Sequence, residues 1–323
     1  MIRVESPIGV EQGNRADAAR SASTVDQDEI VVRGRFLRIA SIKDEEVRET
    51  EVLLRPESYV SKIRRENLGA DVFTFSEPYP DAAPALPYPF ELDNLAVIPI
   101  TTFDDWWQNR MTQVTRKNVR RAGRRGVVTR IVALDEALAK QIKEIYDETP
   151  VRQGRPFWHY NKSLSEVFAA NATYADQSEF ICAYFENELI GFIRLVYVGP
   201  VATIMQVVSK NAHEDKRPTN ALLAKAVERC VERKIRYLVY GRFVYGKNKN
   251  SPLTEFKRRN GFESATVRTY YVPLTTLGRV ALRLKVHLGI KYFLPESLFY
   301  YLLNVRSWFY SRRLRAEAAT AAH

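Results

Sequence analysis

Apolar residues recur along this chain at two spacings, and the switch between them marks its elements. In LDEALAKQIKEIYDET, Leu134, Leu138, Ile142 and Ile145 share one face at helical spacing, which predicts an amphipathic helix. NKSLSEVFAAN predicts a second helix. Three strands follow, EFICAYFEN, ELIGFIRLVYV and VATIMQVVSK, parted by turns at Asn187-Glu188 and Gly199-Pro200. PTNALLAKAVERCVERK is an amphipathic helix with Pro218 at its start, where the missing N–H of proline forfeits no helical bond. RYLVYGRF is a strand, SPLTEFKRRNGF a short helix ended by Gly261, and ESATVRTYYVPL a final strand.

The two ends are less regular. Residues 1–28 are polar, small and unpatterned, and read as a disordered leader. IVVRGRFLRIA alternates as one strand, and EVLLRPESYVSKIRR follows as a strand or short helix. DVFTFSEPYPDAAPALPYPFELDNLAVIPI mixes strands with a loop that Pro84, Pro87 and Pro89 hold extended. Past Leu274 the chain turns apolar, aromatic and basic, with Leu298, Leu302, Val305 and Phe309 on one helical face. That face either packs on the body of the protein or rests on an anionic membrane. The expected division is a leader to 28, a strand-rich part over 29–110, a second domain over 111–275 and a basic helical segment over 276–323.

Charge sharpens this picture. The net charge of +11 is concentrated in two stretches, residues 110–130 with eight basic residues and no acid, and residues 279–315 with eight against Glu296. Within the first, Arg116, Lys117, Arg120, Arg121, Arg124 and Arg125 form pairs repeating every four residues, a stripe on one helical face. FDDWW leads into that helix, with Asp104 or Asp105 as its cap and two tryptophans anchoring the entry. The stripe is either a solvated face or a surface for phosphates, of nucleotide, tRNA or phospholipid. The lack of Glu-Lys pairs favours phosphate, and the lack of interleaved aromatics points to backbone contact, not base reading.

Other chemistry is excluded more simply. Cys182 and Cys230 each sit in an apolar run, as free thiols of a reducing compartment do, and the four histidines show no ligand spacing, so no metal is expected. The N-terminus has no apolar core of a secretory signal, and no run reaches the roughly 18 apolar residues of a spanning helix. The expected location is cytoplasmic, or peripheral to the inner face of the membrane.

From Leu134 to Leu274 the succession resembles the GNAT acyltransferase fold, and Asn250, Leu253, Phe256, Gly261 and Phe262 fit the spacing of its Asn-to-Gly-Phe motif. KNVRRAGRRGV at 117–127 and TPVRQG at 149–154 resemble segments of the Fem-like branch, whose members build peptidoglycan cross-bridges from aminoacyl-tRNA. The resemblance implies a mixed α+β or α/β fold, a mostly antiparallel sheet flanked by helices, with a truncated GNAT-like half before it. It implies transfer of an acyl or aminoacyl group from acyl-CoA or aminoacyl-tRNA, with no bound cofactor, to an amine acceptor such as a cell-envelope precursor. tRNA is the partner it suggests, beside the membrane surface that the C-terminal segment suggests.

Two departures stand out. Where GNAT enzymes carry a glycine-rich pyrophosphate loop, this chain has KRPTNA, leaving Lys216, Arg217, Thr219 and Asn220, with Val207, Val208 and Asn250, as the implied donor contacts. Where many carry a tyrosine general acid, this chain has Lys257. Lys257 is either a surface lysine or a stabiliser of the carbonyl oxyanion, and Tyr245 is a substitute acid. The loop ETPVRQGRPFWHY offers Arg152, Arg155, His159 and Tyr160 toward the acceptor, with Arg152 or Arg155 suited to an acceptor carboxylate or phosphate and Glu148 to deprotonating the amine. His159 is a packing residue before it is a base. The rival reading is a non-catalytic nucleic-acid- or membrane-binding protein on a decayed GNAT scaffold.

Overall fold

The computed structural model describes residues 25–26, 28–47, 55–80, 85–152, 155–246 and 250–288. The face of Leu298, Leu302, Val305 and Phe309, most of the expected leader, and the Arg155 side chain lie outside the described residues. In chain order the elements are β1 (Ile30–Arg33), β2 (Ile39–Ile42), α1 (Pro56–Arg65), β3 (Val72–Ser76), β4 (Phe90–Pro99), α2 (Gln113–Arg124), β5 (Val128–Val132) and α3 (Glu136–Tyr146). They continue as β6 (Val151–Arg152), β7 (Arg155–Pro156), α4 (Leu164–Ala172), β8 (Ser178–Phe185), β9 (Glu188–Val198), β10 (Val201–Ser209), α5 (Pro218–Glu232), β11 (Tyr237–Arg242), α6 (Pro252–Arg259), β12 (Glu263–Pro273) and α7 (Thr276–Arg283). The described residues form two compact units, one from the stretches up to Asp93 and from Thr266 on, the other from Asn94–Ala265. The changeovers fall inside β4 and β12, away from the expected boundaries after 110 and 275.

In the larger unit the strands run β4-β11-β10-β9-β8-β5, every pair antiparallel except β10 with β11. β9 lies at the centre because ELIGFIRLVYV is apolar on both faces and buried along nearly its whole length. Ile193 and Leu195 join the cluster under α5, with Leu222, Leu223, Val227 and Cys230. Phe192 turns the other way, to Leu138, Ile142 and Ile145 of α3. Helices thus cover both faces of a mixed, mostly antiparallel sheet.

In the smaller unit β1 and β2 pair antiparallel, β2 and β3 parallel, and β3 and β12 antiparallel. IVVRGRFLRIA is therefore a hairpin, not one strand: Gly34, at φ +105°, makes a turn in which a Cβ would stand 2.0 Å from the Leu37 carbonyl oxygen. Rings of Tyr59, Phe73, Phe75 and Tyr270 stack in succession at 5.8, 5.5 and 5.3 Å, so PESYVSKIRR is a helix that carries Tyr59 onto the sheet. The end of the expected leader belongs to this core. Asp28 is buried and accepts from Tyr59 Oη at 2.6 Å, while buried Lys62 donates to the carbonyls of Val25 at 3.1 Å and Asp26 at 2.8 Å. A polar stretch without pattern is ordered here by a lysine and a tyrosine of a distant helix.

Candidate active site

The larger unit opens where β10 and β11 part. Their parallel pairing covers only Val201–Thr203 against Tyr237–Val239. β10 then breaks register with β9 between Ile204 and Gln206, and β11 breaks register with β4 between Val239 and Arg242. Such irregularities bend strands and re-aim their side chains. Val207 and Val208 keep their pairing to Ile193 and Phe192 of β9, so beyond Thr203 only the edge away from β9 lacks a strand partner among the described residues.

Lys257 is seated on the β11 side of this opening. It belongs to α6, which Ser251 caps by accepting from Thr254 N, with Pro252 at its first position; Asn250, expected to begin the helix, stands one residue before the cap and is exposed. Lys257 is not a surface residue: its exposure is 0%. Its Nζ donates to the carbonyls of Tyr240 at 2.5 Å and Arg242 at 2.6 Å, where the register of β11 with β4 shifts. Two of its three N–H bonds are thereby used. The ammonium lies 4.3 Å from the ring centre of Tyr240 and 5.0 Å from that of Tyr245. Burial lowers its pKa to about 8, so near neutrality it is still mainly a cation. Gly241, at φ +51°, makes room for the Tyr245 hydroxyl, which would lie 2.8 Å from a Cβ there. The structure thus brings together Lys257, expected at the carbonyl oxyanion, and Tyr245, expected as the substitute acid.

The expected donor residues cluster at the start of α5. Arg217, in the left-handed region at φ +57°, takes a turn that glycine would make without strain, and Pro218 then supplies no amide hydrogen. A GNAT-type cradle of backbone amides is reduced accordingly. Thr219 Oγ1 lies 3.1 Å from Ser209 Oγ at the end of β10. Asn220 Nδ2 donates weakly to Asn260 Oδ1 at 3.4 Å. Lys216 instead stands over the Phe185 ring at 4.5 Å. A cleft of about 380 Å³ lies beside this helix start, walled by Val114, Thr115 and Asn118 of α2, by Arg217 and Asn220, and by Phe256 and Arg259 of α6. The Nε of Arg217 is buried without a hydrogen-bond partner.

The acceptor loop divides into two clusters, neither as expected. Glu148 accepts from Asn211 N at 2.7 Å, Ala212 N at 2.9 Å and Arg152 Nη2 at 3.1 Å, so both its oxygens are occupied and it caps a helical turn instead of waiting for a proton. Arg152 also donates to the carbonyls of Ser209 at 2.7 Å and Ile145 at 2.9 Å. Its fork pins a loop and is not open to an acceptor carboxylate. His159 lies 4.3 Å from Tyr146 in a stack, and its Nε2 is 2.8 Å from Gln206 Nε2. Because Tyr146 Oη donates to Gln206 Oε1 at 2.7 Å, the amide nitrogen of Gln206 is the donor to His159, whose Nε2 accepts and whose Nδ1 carries the proton. Burial, then the charges of Lys162 and Arg152, lower the His159 pKa to about 4. Tyr160 is exposed beside this cluster.

The basic stripe is split by the fold. Its cap is Thr112, whose side chain accepts from Thr115 N, because Asp105 is occupied by Thr101, Asn109 and Arg110 and FDDWW forms a separate helical turn. Trp106 is buried there and donates to the Asn260 carbonyl at 2.9 Å. Arg116 donates to the carbonyls of Trp107, Gln108 and Met111, closing that turn. Arg125 pairs with Asp215. Lys117, Arg120 and Arg124 are exposed, Arg121 is half-buried, and no carboxylate pairs with these four among the described residues; Arg120 stands over the Trp107 ring at 5.6 Å.

Two residues that organise these contacts carry little signal in the sequence. Gln206 lies in an apolar strand, where one polar residue marks a facing partner without naming it. Asn260, hidden within FKRRNGF, joins α5 and α6 through its side chain and accepts from Trp106 through its carbonyl.

Residues 109–258 match the family described as an acetyltransferase (GNAT) domain. Among solved structures, the chain is similar to L-PGS from Bacillus licheniformis, with a TM-score of 0.52 and 11% identity over 87% of this chain and 97% of that one. It is also similar to FemX, with a TM-score of 0.50 and 13% identity over 77% and 89% of the two chains. At these identities the likeness is one of fold. No curated protein matches the sequence.

Proposed function

We propose that this chain, whose residues 109–258 match a GNAT acetyltransferase domain, moves an acyl or aminoacyl group from a large anionic donor, aminoacyl-tRNA in preference to acyl-CoA, onto an amine. The observation that carries the reading is Lys257, a buried cation at the parting of β10 and β11 with one N–H left over. The neutral amine attacks the carbonyl carbon, a C–N bond forms and the ester C–O bond breaks. The amine gives up its proton to solvent, and the departing hydroxyl oxygen gains one. Negative charge on the carbonyl oxygen in between is what a fixed, desolvated ammonium stabilises, and loss of one such donor costs about a hundredfold to a thousandfold in turnover.

The preference for donor rests on the start of α5. Pro218 withdraws one amide from an anion there, and no glycine lets the backbone close on a pyrophosphate. Arg217 and Arg259 line the cleft beside α2, and the exposed cations Lys117, Arg120 and Arg124 elsewhere on that helix suit phosphates spread over a longer chain. Calorimetry with acetyl-CoA and with charged tRNA tests this directly. Saturable binding of charged tRNA with little heat from acetyl-CoA is expected, and tight acetyl-CoA binding would move the protein to the CoA-dependent branch.

A further inference from the structure

Helix α7 is turned the wrong way round for a helix of a water-soluble core. Its small residues Gly278 and Ala281 face the body and are buried, while Leu277 and Leu284 are 52% and 61% exposed, with Val280 between them on the same face. The orientation is locked. A Cβ at Gly278 would stand 2.0 Å from the Asp71 carbonyl oxygen, so no larger residue fits that contact and the helix cannot roll its leucines inward. Asp71 also holds the neighbouring hairpin. It accepts from Thr275 Oγ1 at 2.8 Å and from Arg38 N at 2.9 Å, tying the start of α7 to the base of the β1–β2 turn. At the tip of that turn Phe36 is 94% exposed.

The charged residues that flank these side chains along the chain are all basic, although Asp71 lies at the base of the turn and Glu91 pairs with Lys285 past the end of α7. Arg33 and Arg35 flank Phe36, Arg279 and Arg283 flank the leucines, and no carboxylate pairs with the four among the described residues. Neither 30–43 nor 274–288 contains an acidic residue. We infer that the outer face of α7 and the Phe36 tip form a docking surface for an anionic lipid bilayer. Bulky aliphatic side chains need a hydrocarbon phase, which nucleic acid does not offer, and arginines beside them need anionic headgroups. A second copy would bring the same cations against these, and the chain beyond residue 288 is itself basic, so like charge disfavours both as the cover. Among the described residues no helix is long and apolar enough to cross a membrane, which leaves contact at the interface. This inference does not depend on the acyl-transfer reading.

The test is sedimentation of the full chain with vesicles of phosphatidylcholine alone and of phosphatidylcholine with phosphatidylglycerol, at two salt concentrations. Binding is expected to the anionic vesicles only, weakened by salt. Leu277→Gln with Leu284→Gln should weaken it at least tenfold, and Arg279→Gln with Arg283→Gln should weaken it and flatten its salt dependence. Both pairs replace exposed side chains, so thermal stability without vesicles should be unchanged. Failure of the wild type to bind anionic vesicles overturns the inference, as does unaltered binding by the leucine variant. A leucine variant that loses stability without vesicles shows that the chain covers its own face, and one that loses a dimer shows that a second copy does; either result also overturns it.

Discussion

Lys257 donates from α6 to the carbonyl of Arg242 at 2.6 Å, across the point where β11 loses its register with β4. One buried side chain therefore serves both the fold and the chemistry proposed for it. Lys257→Met removes the charged donor to the carbonyls of Tyr240 and Arg242, and each such hydrogen bond contributes about 1.5–3 kcal/mol. Turnover in the variant, measured where it is fully folded, should fall by about a hundredfold or more. Turnover within a few-fold of wild type would leave Lys257 as a clamp on the strand alone.

The same residue sets an alkaline limit. Burial lowers the Lys257 pKa to about 8, so the cation, and turnover with it, should fade as pH rises through that value. Stability responds in the opposite sense. A lysine whose pKa is depressed by folding opposes folding while it is charged, and that opposition eases between about pH 8 and the unfolded value near 10.4. A pH–rate profile and a series of melting curves, each compared with Lys257→Arg, separate the two effects.

His159 should stay neutral until the pH nears 4, with its proton on Nδ1, because its Nε2 accepts from Gln206. Its depressed pKa contributes stability that is present above about pH 6.5, the unfolded value, and is lost as pH falls toward 4. Nitrogen-15 NMR of the imidazole reads both tautomer and titration. An imidazole that titrates near 6.5 would remove the Gln206 contact from the account.

Glu148→Gln distinguishes a base from a cap. Removal of a general base typically costs about a hundredfold to ten-thousandfold in turnover. A Glu148 engaged by Asn211, Ala212 and Arg152 should instead cost about 1–2 kcal/mol of stability and less than tenfold in turnover. Denaturant melts and initial rates on the same preparation decide between them.

The stripe on α2 should behave as two groups. Gln at Lys117, Arg120, Arg121 and Arg124 should weaken polyanion binding and flatten its salt dependence, with little change in stability. Arg116→Gln should do the reverse, since three carbonyls lose their donor. Affinity unchanged in the fourfold variant would return the stripe to plain solvation.

The elements of the larger unit were legible because helical and strand periods act within a few residues. Leu138, Ile142 and Ile145 mark α3 whatever the rest of the chain does, and the apolar run of β9 requires cover on both faces. Local signals faded in the smaller unit. The hairpin hidden in IVVRGRFLRIA depends on one glycine, and the burial of Asp28 depends on Tyr59 and Lys62, far along the chain.

By itself, the sequence determined the order of helices and strands from Leu134 to Leu274, the position of the basic helix and the presence of a lysine before the Gly-Phe turn. Only the tertiary structure decided that this lysine is buried against Tyr240 and Arg242, that Glu148 and Arg152 are engaged with main chain, and that Gln206 orients His159. Periodicity fixes which face of an element is apolar. The partner of a polar side chain depends on strand register and on the bulges in β10 and β11, and these arise from pairings between segments distant in sequence.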